Sequence, residues 1–532
     1  LAETPPPSTD APDDPLLWTQ DGQPRSRLYG DVYFSAEDGL AEARTVFLQG
    51  CGLPQAWRDR RRFVVGELGF GTGLNILALL DLWRAQRPSG GRLHIFSIEA
   101  HPLSAADARR ALANWPELAE LAQTLLAQWP GRASGVHRVE FPDLGAILDV
   151  AVGEVGERLA GWSGRADAWF LDGFSPALNP AMWRDEVLAL VAARSAPGAQ
   201  AATFTVAGQV RRGLAAAGFS VEKQPGFGRK RERLAARLPG EVHFTGPSRR
   251  VAIVGAGIAG AAAARAVRAL GGEPVLIEAR SRGAGASGNP AALVTPRLDA
   301  GLGPPAQLFA QAFRRATALY EAVPGAVLGR GVLQLAGAKD GERFEKIASS
   351  GLFEPEALAM LTAAQATTRL GEAAPSALDQ PHALIIAPMA VLTAWTPELI
   401  DGEVASLSCE GDEWRLADAG GTLLAQADAV ILAGGPDIAA LAQGVVLQPV
   451  RGQLSWSAAV VGAPPAVAWG GYALPFGEGV MFGATHDRDD VSVDLRTDDH
   501  QRNLASLATT LPTLAGRIDA STLSGRAALR AA

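Results

Sequence analysis

Cysteine is nearly missing from this chain: Cys51 and Cys409 are the two present, and they stand far apart. So sparse a pair excludes a disulfide framework and any thiolate-rich zinc site. The seven histidines are scattered and never take up an HExxH or similar ligand spacing, so no metal is expected. No run of about 18 uninterrupted apolar residues occurs, the length a membrane-spanning helix needs. The opening LAETPPPSTDAPDDP is proline-rich and acidic, without the cationic start and apolar centre of a signal peptide. A flexible tail over residues 1–15 and a cytoplasmic protein without membrane contact are the expectations, and the chain is read as a monomer. Lysine is scarce too, four against 44 arginines. An excess of that kind follows genomic bias as readily as function, so an arginine run carries less weight here. The net charge of −8 argues against a chain coated with cations for nucleic acid, although phosphates are neutralised by local patches rather than by the sum.

What is present is enough for two cores. A chain of 532 residues, 48% of them apolar and 20% charged, is too long for one ordinary domain. After a mixed polar and aromatic segment, WTQDGQPRSRLYGDVYFS, that reads as an N-terminal cap, RRFVVGELGFGTGLNILALLDLW gives a strand at Phe63 to Val65, a glycine-rich turn and an apolar helix. Gly69, Gly71 and Gly73 let the backbone approach a ligand that side chains would keep away. The next strand, LHIFSIEA, ends on Glu99. In doubly wound folds an acid there accepts ribose hydroxyls, the bland alternative being a solvated loop carboxylate. A third strand, Leu148 to Val152, leads to Glu154, placed to contact a base. A fourth, in DAWFLDGFSP, sets Asp172 at its carboxyl end, where open α/β sheets hold their ligands.

GELGFGTG, opening on Glu67, is neither a GxGxxG fingerprint nor a Walker loop. Followed by a ribose-type acid, it resembles the entry motif of S-adenosylmethionine (SAM) methyltransferases. Together, WTQDGQPRSRLYGDVYFS, GELGFGTGLNIL, DAWFLDGFSPALNPAMW and GFGRKRERL resemble the methyltransferase half of the bifunctional tRNA 5-methylaminomethyl-2-thiouridine biosynthesis family, over essentially all of residues 16–237. The resemblance implies methylation of an aminomethyl nitrogen on a wobble uridine. Asp172 would orient that nitrogen and take up its proton, unless it merely caps the following loop. Phe174 and Asn179 would shape the substrate pocket, while Glu67, the three glycines, Glu99 and Glu154 would hold SAM. Two positions depart from the family pattern, which usually has asparagine at Cys51 and aspartate at Glu154. The cations Arg229, Lys230, Arg231 and Arg233, and an earlier group from Arg58 to Arg62, are either solvated faces or contacts to tRNA phosphates.

Beyond a linker at 241–250 comes RRVAIVGAGIAGAAAARAVRALGGEPVLIEAR. Val251 to Val254 reads as a strand, and Gly255, Gly257 and Gly260 as the dinucleotide fingerprint. A helix follows to about Leu270, then a strand ending on Glu278. An acid at that place disfavours a 2′-phosphate, so NADP is not expected. ARSRGAGASGNPAALVTPRL, DAVILAGG, PVRGQLSW and GGYALPFGEGVMFGATHD resemble the FAD-dependent D-amino-acid-oxidase-like half of the same family. That resemblance implies FAD, held also by Ser287, Asn289 and Gly434, and oxidative removal of a carboxymethyl group from 5-carboxymethylaminomethyluridine. A hydride would leave the glycine-like carbon, and water would hydrolyse the resulting imine. Arg451 is the candidate partner for the substrate carboxylate, with contact to the flavin or a phosphate as its alternative. LSGRAALRAA ends where relatives are expected to continue through a further FAD-contacting segment. The expected fold class is α/β throughout: a Rossmann-like SAM methyltransferase domain at 16–240, then at 251–532 an FAD-binding Rossmann domain with an α+β oxidase-like substrate subdomain. Two rivals stay open, a small-molecule amine oxidase fused to an unrelated methyltransferase, and a tRNA-binding methyltransferase with an inactive flavin half.

Overall fold

A computed structural model describes residues 16–20, 22–35, 38–228, 231–241, 249–354, 356–442, 444–458, 460 and 462–531. The chain divides between residues 246 and 247 into two compact units. The first is built on an eight-stranded sheet. Five parallel strands form its middle, in the spatial order Ala146–Val152, Arg92–Glu99, Arg62–Leu68, Ala166–Leu171 and Ser195–Thr203. Gly135–Phe141 closes one edge antiparallel, and the hairpin of Ser220–Pro225 with Glu232–Arg237 closes the other.

Alternation along these strands sends successive side chains to opposite faces. Phe63, Val65, Ile95 and Phe170 pack under helices Leu74–Gln86, Ala105–Leu112 and Ala119–Ala127. Val64, Phe96, Ile98 and Trp169 pack under Val155–Gly161, Asp185–Ala193 and Gly208–Ala216. Both faces are therefore covered, which is why these strands read as nearly unbroken apolar runs. A charged cluster sits on one side of the sheet: Asp149 accepts both Arg138 Nε and Nη2 at 2.7 Å and contacts His94 Nε2 at 2.8 Å. Burial pushes the Asp149 carboxyl up, but hydrogen bonds from Arg138 and His94 outweigh it and hold the group at about 2.

The second unit contains a four-stranded parallel sheet in the order Leu399–Asp401, Glu273–Glu278, Arg250–Val254 and Ala429–Leu432. Helix Ile258–Ala269 follows the strand Arg250–Val254 after the glycine turn at 255–257. Beside it are a ten-stranded mixed sheet and a three-stranded antiparallel sheet, Ser406–Glu410, Glu413–Ala417 and Leu423–Ala427. In the large sheet the strand Pro449–Ser457 pairs from Pro449 to Trp456 with Ser524–Ala531. Among the described residues no helix is long and apolar enough to cross a membrane, and no group of three or more histidine, cysteine or acidic residues could hold a metal.

Candidate active sites

At the carboxyl ends of the parallel strands of the first unit lies a cavity of about 570 Å³. Its floor is the glycine turn. Gly69 has φ of +89°, and a Cβ there would stand 3.1 Å from the backbone of Gly173, so a side chain would force apart the two loops that frame the cavity. Glu99, the last residue of its strand, accepts the amide of Gly71 at 3.0 Å on one oxygen and that of His101 at 2.9 Å on the other. Asp172 follows the strand Ala166–Leu171, lines the cavity, and accepts the Nδ2 of Asn75 at 2.7 Å. Asn75 stands in the first turn of helix Leu74–Gln86, for which Gly73 is the N-cap.

The charge of this lining is one-sided. Asp31, Glu42, Glu99, Glu154 and Asp172 all face the cavity, and no lysine or arginine does among the described residues. An anionic dinucleotide would meet five carboxylates there. A sulfonium cofactor bearing an ammonium group meets complementary charge, so the donor set fits SAM. Tyr29, Tyr33 and Phe174 form an aromatic cluster in the wall, with ring centroids 5.0 Å apart for Tyr29 and Phe174 and 5.2 Å for Tyr33 and Phe174. Burial, and next the charge of Glu99, raise the Tyr29 phenol above its ordinary value. Phe227, in the hairpin turn that leads to Glu232–Arg237, lines the cavity too.

The sequence-predicted residues fall into place unevenly. Gly69, Gly71, Glu99, Glu154, Asp172, Phe174 and Asn179 share the cavity. Glu154 is doubly engaged: it caps helix Val155–Gly161 through the amide of Glu157 at 2.9 Å and pairs with Arg184 at 3.0 Å. Glu67 needs correction as a direct cofactor ligand. It is 0% exposed and lies beneath the lining, because it sits inside the strand rather than past its end. Arg231 is exposed, and its carbonyl accepts the amide of Gly226 across the hairpin turn. Arg229 and Lys230 lie outside the described residues. The group from Arg58 to Arg62 leads into the strand Arg62–Leu68 at its amino end, opposite the cavity, and Arg60 is committed to Asp167 at 2.8 Å. It is not part of this site. Sequence reasoning missed Asn75, Asp31, Tyr29 and Tyr33, although three of these four lie in the N-terminal motif that read only as a cap.

The second unit repeats the plan with other surroundings. Glu278 accepts the amides of Ala256 at 2.7 Å and Arg280 at 3.1 Å. A Cβ on Gly255 would meet the Ala433 carbonyl oxygen at 2.7 Å, and one on Gly260 would meet the Gly255 oxygen at 1.8 Å. The turn, helix Ile258–Ala269 and the 433–434 backbone thus close together only around glycine. Ser287 Oγ accepts the amide of Ile258 at 2.9 Å, beside Gly257, and Asn289 follows the short turn Ala286–Gly288. Gly434 is the N-cap of Gly435–Ala440. A glycine turn leading into a helix, with an acid at the end of the neighbouring strand, is the arrangement that suits the pyrophosphate and ribose of FAD. Arg526, which the sequence did not single out, donates Nη2 to the carbonyls of Gly283, Ala284 and Gly285 and so pins the loop after Glu278.

Arg451 requires the larger correction. It is 0% exposed and donates to Asp499 at 2.5 Å, to Gln453 Oε1 at 3.0 Å and to the Asp494 carbonyl at 2.6 Å. A guanidinium sealed in and committed to these acceptors has no free edge for a substrate carboxylate. It is an internal tie between strand Pro449–Ser457 and helix Thr497–Thr510.

Two family models match: S-adenosyl-L-methionine-dependent methyltransferase over residues 116–239 and FAD dependent oxidoreductase over residues 250–531. The chain is therefore an enzyme of two halves, a SAM-dependent methyltransferase followed by an FAD-dependent oxidoreductase. Among curated relatives, the tRNA 5-methylaminomethyl-2-thiouridine biosynthesis bifunctional protein MnmC of Caulobacter vibrioides is 60% identical over 97% of this chain and 87% of its own length. The protein of the same name from Maricaulis maris is 45% identical over 89% of this chain and 79% of its own. A solved structure, glycine oxidase from Geobacillus kaustophilus, matches at 21% identity over 53% of this chain and 83% of that one, with a TM-score of 0.44. This chain belongs to the family of bifunctional tRNA 5-methylaminomethyl-2-thiouridine biosynthesis proteins.

Proposed function

We propose that the two halves act in succession on the wobble uridine of tRNA. The oxidoreductase half removes the carboxymethyl group of 5-carboxymethylaminomethyl-(2-thio)uridine, and the methyltransferase half methylates the aminomethyl nitrogen left behind. The observation that carries this reading is the cavity lined by five carboxylates and no lysine or arginine, with Asp172 held at its wall by Asn75. When bound, SAM supplies an electrophilic methyl group and FAD accepts a hydride from the carbon beside the amine.

The remaining work falls to side chains of this chain. An amine attacks only as the free base, so Asp172 accepts its N–H, aligns the lone pair and takes up the proton as the new bond forms. Tyr29, Tyr33, Phe174 and Asn179 offer ring faces and an amide suited to an unstacked base. Glu99 receives ribose hydroxyls, while Glu154 borders the adenine side from its helix cap. Arg231, with Arg229 and Lys230 outside the described residues, contacts RNA phosphates from the hairpin turn beside Phe227. In the oxidoreductase half Gly255, Gly257 and the start of helix Ile258–Ala269 face the pyrophosphate, Glu278 the ribose, and Ser287, Asn289 and Gly434 border the cofactor. The protein works as a cytoplasmic monomer.

Mass spectrometry of the wobble nucleoside tests the sequence of steps. Purified protein incubated with undermodified tRNA should remove carboxymethyl without SAM and add methyl only with it. No change in either arm would refute the reading.

A further inference from the structure

Beneath the methyl-transfer cavity lies a buried acid that the reaction as described does not use. Glu67 is 0% exposed, and its Oε2 accepts Ser97 Oγ at 2.5 Å. Its Oε1 is sealed from solvent and receives no well-formed hydrogen bond, although the Asn75 amide lies close enough to interact with the carboxyl. Burial first, and the nearby charges of Asp172 and Glu99 after it, push the Glu67 carboxyl far above the ordinary carboxylate range, against the hydrogen bonds of Ser97 and Asn75. A neutral Glu67 adds no further negative charge under Asp172 and Glu99. It also keeps an O–H to give, whereas an ionised one could only accept.

Asn75 stands between this floor and the site. One amide N–H goes to Asp172 Oδ2 at 2.7 Å, which fixes the plane of that carboxylate at the end of its strand. We propose that Asn75, supported from below by Glu67, is a positioning residue for methyl transfer, which holds the Asp172 carboxylate in the orientation that receives the substrate amine. The inference rests on the role given to Asp172 above. The other titratable groups facing the same space are Tyr29, Asp31, Tyr33 and Glu42 of the N-terminal segment, Glu99 at the end of its strand, His101 just beyond it, and Glu154. Asn75 gives Asp172 a side-chain amide donor at 2.7 Å, a contact fixed by the helix on which Asn75 stands.

The test uses the full chain with SAM and tRNA carrying 5-aminomethyluridine. Asn75→Leu should lower kcat for methylation about tenfold or more, with the Kd for SAM by calorimetry within about twofold and the flavin absorbance unchanged. In an Asp172→Ala background the same substitution should cost nothing further, because two residues acting as one unit do not add. Glu67→Leu should lose part of kcat, and Glu67→Gln should restore it, since glutamine keeps a neutral polar group in place. Independent, additive losses from Asn75→Leu and Asp172→Ala would overturn the inference while leaving the function intact. So would a weakened Kd for SAM with kcat unchanged, which would make Asn75 a cofactor ligand. Absence of methyl transfer by the unaltered protein would overturn the functional reading and this inference together.

Discussion

Glu99 and Glu278 end their strands in the same way. Each accepts one amide from the glycine turn across from it and another from the residue two places further on. What surrounds the two turns differs. In the first unit the turn opens on a cavity faced by five carboxylates. In the second, the turn is pressed against the backbone of Ala433 and Gly434, and the loop after Glu278, which holds Arg280 and Arg282, is pinned by Arg526. One strand-turn-helix plan thus recurs in both units, opening on converging acids in the first and closed against neighbouring backbone in the second. Topology places the ligand, and the side chains around the turn choose its charge.

Substitutions can break or sharpen that comparison. The largest effect is expected from Gly260→Val, because its Cβ would already sit 1.8 Å from the Gly255 oxygen. Flavin absorbance should vanish from the purified protein while SAM titrates the first unit unchanged; retained flavin would show that the two turns are less alike than described. Arg451→Met comes next. Removing the guanidinium leaves Asp499 buried with less compensation, which costs about 3 kcal/mol, seen as a lower unfolding midpoint of the second unit. A drop in oxidation rate with the midpoint unaltered would return Arg451 to the substrate.

Smaller effects follow at the acids. Glu99→Gln should weaken SAM about tenfold by calorimetry and leave flavin content alone, whereas Glu278→Gln should do the reverse, each losing a charge-assisted hydrogen bond. Cross-effects would mean that the sites do not work separately. The last prediction concerns pH and stability. The folded state raises the Glu67 carboxyl above its unfolded value, so the unfolded chain holds fewer protons there once pH exceeds the ordinary glutamate value. Wild-type stability therefore falls with rising pH through this group, until the folded value is reached. Glu67→Gln lacks that proton uptake, so its advantage in unfolding free energy should widen by up to about 1.4 kcal/mol per pH unit across the window above the ordinary value. A difference independent of pH would mean that Glu67 is ionised in the fold.

Much of this was legible in the sequence because it depends on local pattern. Glycines after apolar strands and acids at strand ends marked both turns, and the strands ending on Glu99 and Glu278 stop where the sequence placed them. The strand expected at Phe63 to Val65 extends over Arg62–Leu68, since the acid Glu67 is carried inside it as a buried group that no polarity pattern reveals. Asn75 was hidden for a related reason. On a helix it is one polar residue among leucines, and only the fold brings Asp172 to it from 97 positions away. Arg451 misled because a charged residue in a strand suggests a ligand, while its true partner, Asp499, lies 48 positions further on. Tyr29, Asp31 and Tyr33 read as a cap, and a cap that closes a cavity also lines it.

The division of labour between the two units is tested most directly by Asp172→Ala in the full chain, supplied with SAM and with tRNA bearing 5-carboxymethylaminomethyluridine, the wobble nucleoside being followed by mass spectrometry. The expected result is removal of carboxymethyl at the normal rate with accumulation of the unmethylated 5-aminomethyl nucleoside. Methylated product at the rate of the unaltered protein would contradict it.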